Sequence, residues 1–300
     1  MRFLKIVLIA ASFYGLYSCE DSLTEEKRVA NELTIQNYLT NNNIAFVKHD
    51  GVFVTVLHKG YGYQIVPGDS VGFWYVGRTL TGNIFDTNIR EVADEVGINP
   101  EARKFEPVEI IAGSDNLLPG LSRGIPLCRQ WQWNSIYFPS TLGYGDDQAG
   151  SVAPWTPLVF DIYIIYVKNE KIIREQNNIN NFVAGMQGFT PDTTGMWTKY
   201  TAQGSALESP ESNDTVFGWY RISTLDLKPL FEVEGENDEI VLNNQLIEGV
   251  QLGFLRLKPG EAMQMVVPSP LAYGSEGNYN VLPYTPLFCE IRLDSRSYLT

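Results

Sequence analysis

Few residues in this 300-residue chain have the types and spacing of a conventional catalytic centre, and the ones that stand out do so by recurring. Tyr144-Gly145 returns as Tyr273-Gly274, and the coincidence extends at one constant offset, without a gap, from Asn116–Ile162 to Gln245–Ile291. Gly120/Gly249, Gly124/Gly253, Pro139/Pro268, Ser140/Ser269 and Thr156/Thr285 all match at that offset. Matches at one offset, rich in Gly and Pro, mark a duplicated structural unit. Groups for nucleophilic or metal chemistry are sparse by contrast. The two histidines, His49 and His58, share a short segment without convergent Cys, Asp or Glu spacing, so neither a metal site nor a cofactor is expected. Cys128 and Cys289 fall one in each copy, at different repeat positions and within apolar strand-like text, and read as small core residues rather than a disulfide.

The elements that must position such residues follow from periodicity. Alternating, β-branched runs at 52–58, 70–77, 133–139 and 157–167 read as strands, with a turn at Pro67-Gly68-Asp69. The segment LLPGLSRGI reads as a short helix. Thr24 is a candidate cap for a helix ended by Asn41-Asn42-Asn43, and residues 170–189 read as an amphipathic helix opening the second unit. The second unit repeats the order, with strands near 196–202, 215–222 and 262–268, a closing strand PLFCEIRL, and an acidic loop from Glu232 to Glu239. The text from Tyr75 to Asn116 is much longer than its counterpart from Tyr220 to Gln245, so the first copy carries an insert there. That extra text, between Asp86 and Phe105, reads as a short surface helix. With 44% apolar residues the chain has ample material for two packed cores. A net charge of −13 with no basic run excludes a nucleic-acid partner.

The start of the chain, 1–18, has the form of a signal peptide: Arg2 and Lys5, then an apolar stretch too short to span a bilayer with ease. Leu16-Tyr17-Ser18-Cys19 resembles the lipobox of bacterial lipoproteins. That resemblance implies cleavage before Cys19, lipid on Cys19, and a mature protein anchored to a bacterial membrane in the cell envelope, with the outer membrane the expected one. The expected organisation is a signal peptide at 1–18, a tether and helix at 19–50, a first domain at 51–169, a linker helix at 170–190 and a second domain at 191–300.

PGDSVGFWYVGRTLTGNIFD, then LLPGLSRGI, then FPSTLGYGDDQ and TPLVFDI, resembles the FKBP-type peptidyl-prolyl isomerases from about Val52 to Lys168, with a weaker copy from about Met196 to Asp294. The resemblance implies an α+β fold: two domains, each a half-open antiparallel sheet wrapped on a short helix. It also implies proline-containing clients and rotation about X–Pro bonds. That rotation faces a barrier of ~18–20 kcal/mol from amide resonance and transfers no atom, so it needs an apolar cup with a few polar tips rather than a nucleophile. Carried over by position, Tyr75, Phe85 and Phe160 are walls, Leu118 and Leu121 the floor, and Val108 and Val152 further contacts. Tyr144 offers its hydroxyl to a substrate carbonyl, and Asp86 polarises the site. Two departures stand out. Leu121 occupies the floor position where active members usually carry an indole, and Trp131 stands where a turn glycine is expected. In the second copy Tyr220, Phe231 and Tyr273 match, but Glu232 is expected at the Asp86 place, Val250 at that of Leu121 and Cys289 at that of Phe160. Two readings remain open at this point: an envelope isomerase and folding helper acting through the first domain, or a degenerate pair serving as a binding or structural module. A third, glycan binding through Trp131, Trp133 or Trp155, rests on tryptophan content alone.

Overall fold

The computed structural model describes residues 4–98, 104–114, 116–204 and 207–296, with side chains described outside 4–21 and 233–238. The chain divides into two units, residues 1–59 with 65–167 and residues 60–64 with 168–300.

In the first unit, α1 (Leu4–Asn41) precedes β1 (Val47–His49), β2 (Val52–His58), β3 (Ser70–Thr79) and β4 (Ile84–Thr87). Then come α2 (Arg90–Val96), β5 (Val108–Ile111), α3 (Pro119–Gly124), β6 (Trp133–Phe138) and β7 (Leu158–Lys168). The sheet order is β1-β2-β6-β7-β3-β4, with β5 also paired to β3. The expected strands and the helix in the inserted text are all present; residues 99–103 of that insert lie outside the described residues. The recurring glycines explain how α3 sits. A Cβ on Gly120 would come within 2.2 Å of the Phe138 ring, and one on Gly124 within 2.4 Å of Ile136, so only glycine lets this helix lie on β6.

The opposite face of the sheet is covered by α1, whose Ile35 and Leu39 pack on Phe53, Tyr137 and Val159. The helix expected to begin at Thr24 runs unbroken from Leu4, so Thr24 caps nothing and the stretch 20–26 is helical rather than a loose tether. It ends as the asparagine run requires, with Asn43 left-handed at φ 54° and the Asn42 side-chain amide donating to the Tyr38 carbonyl. Arg2, on which the expected signal peptide rests, lies outside the described residues, as do the side chains of Lys5 and Cys19. Among the described residues no helix is long and apolar enough to cross a membrane.

One core position departs from the rule that buried polar groups are paired. Asn134 is fully buried on the same face of β6 as Ile136 and Phe138, and neither its side-chain oxygen nor its nitrogen finds a partner among the described residues. Its counterpart in the second copy is Met263, equally buried. Asn134→Met should therefore raise the stability of the first unit by about 1–3 kcal/mol, the desolvation penalty of an unpaired amide; a lower denaturation midpoint would refute this.

The second unit comprises α4 (Glu170–Ala184), β8 (Thr190–Pro191), β9 (Trp197–Ala202), β10 (Thr215–Thr224), β11 (Pro229–Val241), α5 (Glu248–Phe254), β12 (Ala262–Val267) and β13 (Leu287–Arg296). Its sheet order is β11-β10-β13-β12-β9-β8. The duplicated contacts recur: Gly249 faces Val267 and Gly253 faces Met265, repeating what Gly120 and Gly124 do in the first unit. Expectation and structure part at the acidic stretch 232–239, which is no loop. It lies inside β11, paired with β10 from Thr215↔Val241 to Ser223↔Pro229, because an edge strand tolerates charge that a central one would not.

Each unit also ties its covering helix to the turn after the central strand. In the first, Asn31 of α1 accepts from the Ser140 backbone N–H at 2.8 Å and donates to the Trp155 carbonyl at 3.3 Å. In the second, Glu175 of α4 accepts from the backbone N–H of Ser269 at 2.6 Å and from its hydroxyl at 2.7 Å, and Tyr63 adds a hydrogen bond. Glu175 is 1% exposed, and burial raises its pKa above the usual carboxylate value despite these donors. The folded state then holds the proton more tightly than the unfolded one. This group's contribution is fully present below about pH 4.5 and is lost as pH rises through the raised value. Glu175→Gln should abolish that portion of the stability–pH slope; melting curves from pH 4 to 8 that slope identically in both proteins would contradict this.

Candidate active site

The strands and α3 of the first unit enclose a concavity of about 490 Å³. Tyr75, Asp86, Val108, Leu118, Leu121, Tyr144 and Phe160 all line it, joined by Phe73, Asn116, Leu117 and Pro119. Strand alternation brings Phe73 and Tyr75 of β3 to this face. Tyr75 and Phe160 pack at 5.8 Å between ring centroids. Phe85, partly exposed, is not among the lining residues but packs edge-on to two of them, Phe160 at 5.7 Å and Tyr144 at 6.1 Å. Phe160 in turn stacks on Phe138, the ring on which Gly120 rests. Val152 is not among the lining residues; it is 1% exposed and its backbone bridges Ala149 within the loop between Tyr144 and β7.

Backbone hydrogen bonds position the walls. Tyr75 donates its N–H to the Asn88 side-chain oxygen at 2.7 Å, and its carbonyl accepts from the Thr87 hydroxyl at 2.7 Å. Asn88, buried, also donates to the carbonyls of Phe73 and Glu106, binding β3 to the entry of β5. Nothing in the sequence distinguishes Asn88 from a loop asparagine; only the fold shows it to be a positioning residue. Tyr144 is set by a tight loop in which Gly145, at φ 62°, donates to the Ser140 carbonyl and accepts from the Trp155 N–H, each at 2.8 Å. Trp155 is itself left-handed at φ 60°, and Tyr284, its counterpart in the second copy, repeats this at φ 56°. A bulky residue held in that region is strained, so the surrounding structure must enforce it in both copies.

Trp131, where a glycine was expected, adopts φ 63°, and Gly260 in the second copy adopts φ 89° with the same backbone bond to the strand opposite. The turn is thus unchanged. Neither free cysteine is a nucleophile: both are buried, and burial pushes the Cys128 thiol up to about 12.

The second unit does not reproduce the cup. Pairing on β10 places Arg221 opposite Glu232 and Ile222 opposite Phe231, whereas on β3 Val76 faces Thr87 and Gly77 faces Asp86. Glu232 therefore occupies the place of Thr87, not of Asp86, and pairs with Arg221 at 3.7 Å on the outer face. The Asp86 place is taken by Phe231, stacked on Tyr220 at 5.5 Å. Val250 and Cys289 are fully buried, and burial raises the phenol pKa of both Tyr220 and Tyr273.

The profile described as FKBP-type peptidyl-prolyl cis-trans isomerase matches residues 62–165 and again 207–294, together more than half of the chain. The chain belongs to this family, as two FKBP domains in tandem. Among its relatives, mouse peptidyl-prolyl cis-trans isomerase FKBP10 is 23% identical over 244 residues, which are 80% of this chain and 36% of that protein. Human FKBP9 is 24% identical over 211 residues, 70% of this chain and 31% of the relative. The chain thus spans about a third of the length of these two relatives. Among solved structures, FkpA from Escherichia coli is 21% identical, covering 56% of this chain and 74% of that one, with a TM-score of 0.34.

Proposed function

We propose that the first FKBP unit is a peptidyl-prolyl cis-trans isomerase and the second a binding or spacing module that has lost the reaction. The observation that carries this is the single concavity in which Tyr75 and Phe160 form apolar walls and Asp86 and Tyr144 supply polar groups. A planar X–Pro amide owes its stiffness to charge separation between nitrogen and oxygen, and rotation removes that separation. An apolar wall disfavours the planar form by withholding water. A hydroxyl placed for the rotated carbonyl then binds the transition state more tightly than the ground state. In the second unit Phe231 stands at the register of Asp86 and Cys289 replaces the Phe160 wall, so each half of that arrangement has lost a member although Tyr220 and Tyr273 remain.

Acceleration of cis-to-trans conversion in a short X–Pro peptide by the full chain is the direct test. No acceleration across a range of residues before proline would leave both units as binding modules. The clients on this reading are proline-containing proteins of the cell envelope, reached from a lipid anchor on Cys19; the support is the leader and the residues that precede Cys19. Cys19→Ser should abolish incorporation of radiolabelled palmitate, and unchanged labelling would remove the anchor from the proposal.

A further inference from the structure

The outer face of the first sheet carries a second cavity, of about 340 Å³, unrelated to the cup. Trp133 of β6, Tyr163 of β7 and Trp74 of β3 line it from three neighbouring strands, and Ile89, Arg90, Glu91 and Phe105 close it from the inserted segment. Trp133 and Tyr163 are register partners with centroids 5.8 Å apart. The same row in the second unit reads Ala262, Arg292 and Trp219, in matching register, and that copy lacks the insert. The fold therefore does not require the aromatic row. The aromatic row and the insert that walls it occur together, in one copy only.

Three features define the occupant. The lining is mainly apolar, and its one guanidinium is engaged, lying 5.4 Å over the Phe105 ring and 3.7 Å from Asp94. Secondly, two interstrand steps separate Trp133 from Trp74, roughly 9.5 Å, and a polyproline II helix returns to the same face every three residues, about 9.3 Å. Rings at i and i+3 of such a helix match the ends of the row, with Tyr163 between them. Thirdly, α2 at the rim exposes Glu91, Asp94 and Glu95 against a single basic residue, Arg90. The rim complements a cation.

We infer that this cavity is a second binding site, for a proline-rich segment in the polyproline II conformation flanked by a basic residue. It stands on its own geometry and does not depend on the cup being catalytic. The test is fluorescence anisotropy of a labelled peptide with one Pro-x-x-Pro turn and an adjacent arginine, titrated with the full chain. Trp133→Ala and Glu91→Lys should each weaken binding about tenfold, as should replacing the peptide's prolines with alanine, while Trp133→Ala leaves isomerisation of a short X–Pro peptide unchanged. Glu91 is exposed, so its variant reports on binding without disturbing the core. Binding indifferent to both variants, binding as strong without the prolines, or occupancy by an oligosaccharide in place of the peptide overturns the inference.

Discussion

Gly120→Val should destabilise the first unit by about 3 kcal/mol, the upper end of what overpacking a filled core costs. The added Cβ alone would stand 2.2 Å from the Phe138 ring, well inside contact distance, and Phe138 has no exposed side to move toward. Gly145→Ala provides the contrast. Gly145 has nothing within 4 Å of its would-be Cβ and is glycine only for its φ of 62°, so alanine there should cost about 1 kcal/mol. Denaturant titration of both variants separates the two reasons for a glycine. Equal losses would mean that close approach of α3 to β6 is not what fixes Gly120. Because Phe138 stacks on Phe160, a ring displaced by Gly120→Val should also reach the wall of the cup.

Asp86→Ala should lower kcat/KM for X–Pro isomerisation at least tenfold, and Tyr144→Phe by about the same factor, with stability little changed. Both residues line the concavity and both are partly exposed, so neither substitution opens a core cavity. What each removes is a polar group at the one place where the amide's charge distribution changes during rotation. The loss should appear in kcat rather than KM if the interaction is made only by the twisted carbonyl. Variants that isomerise as fast as the parent, while still folded, would show that the aromatic walls alone carry the reaction. In the second unit the Asp86 register is already occupied by Phe231, so its separate contribution to the rate should be negligible.

The strands around the cup, the short helix on its glycines and most of the lining were legible in the sequence because each rests on a local signal: alternation, a glycine pair four apart, a Tyr-Gly turn. What escaped were features set by register and by distance. In the sequence Glu232 follows Phe231 as Asp86 follows Phe85, yet strand pairing shifts it by one place, and a one-residue slip moves a side chain to the other face. Val152 had the composition of a contact residue, yet it is buried in its loop and absent from the lining. The acidic run in β11 looked unlike a strand because strand propensity reports on half-buried surface, and this strand is an edge. The roles of Asn31 and Glu175 did leave a trace. Asn31, Ile35 and Leu39 are spaced by four, as are Glu175 and Ile179, so each polar residue sits on an otherwise buried stripe.

That stripe has a mechanical consequence. Asn31 joins α1 to both ends of the loop that carries Tyr144, through Ser140 at one end and Trp155 at the other. A force applied along the chain's N-terminal segment has a two-bond path into the loop that holds Tyr144. Helix α1 is thus part of the scaffold of the cup. Removing the segment that precedes β1 should loosen the loop even in a chain that never meets a membrane.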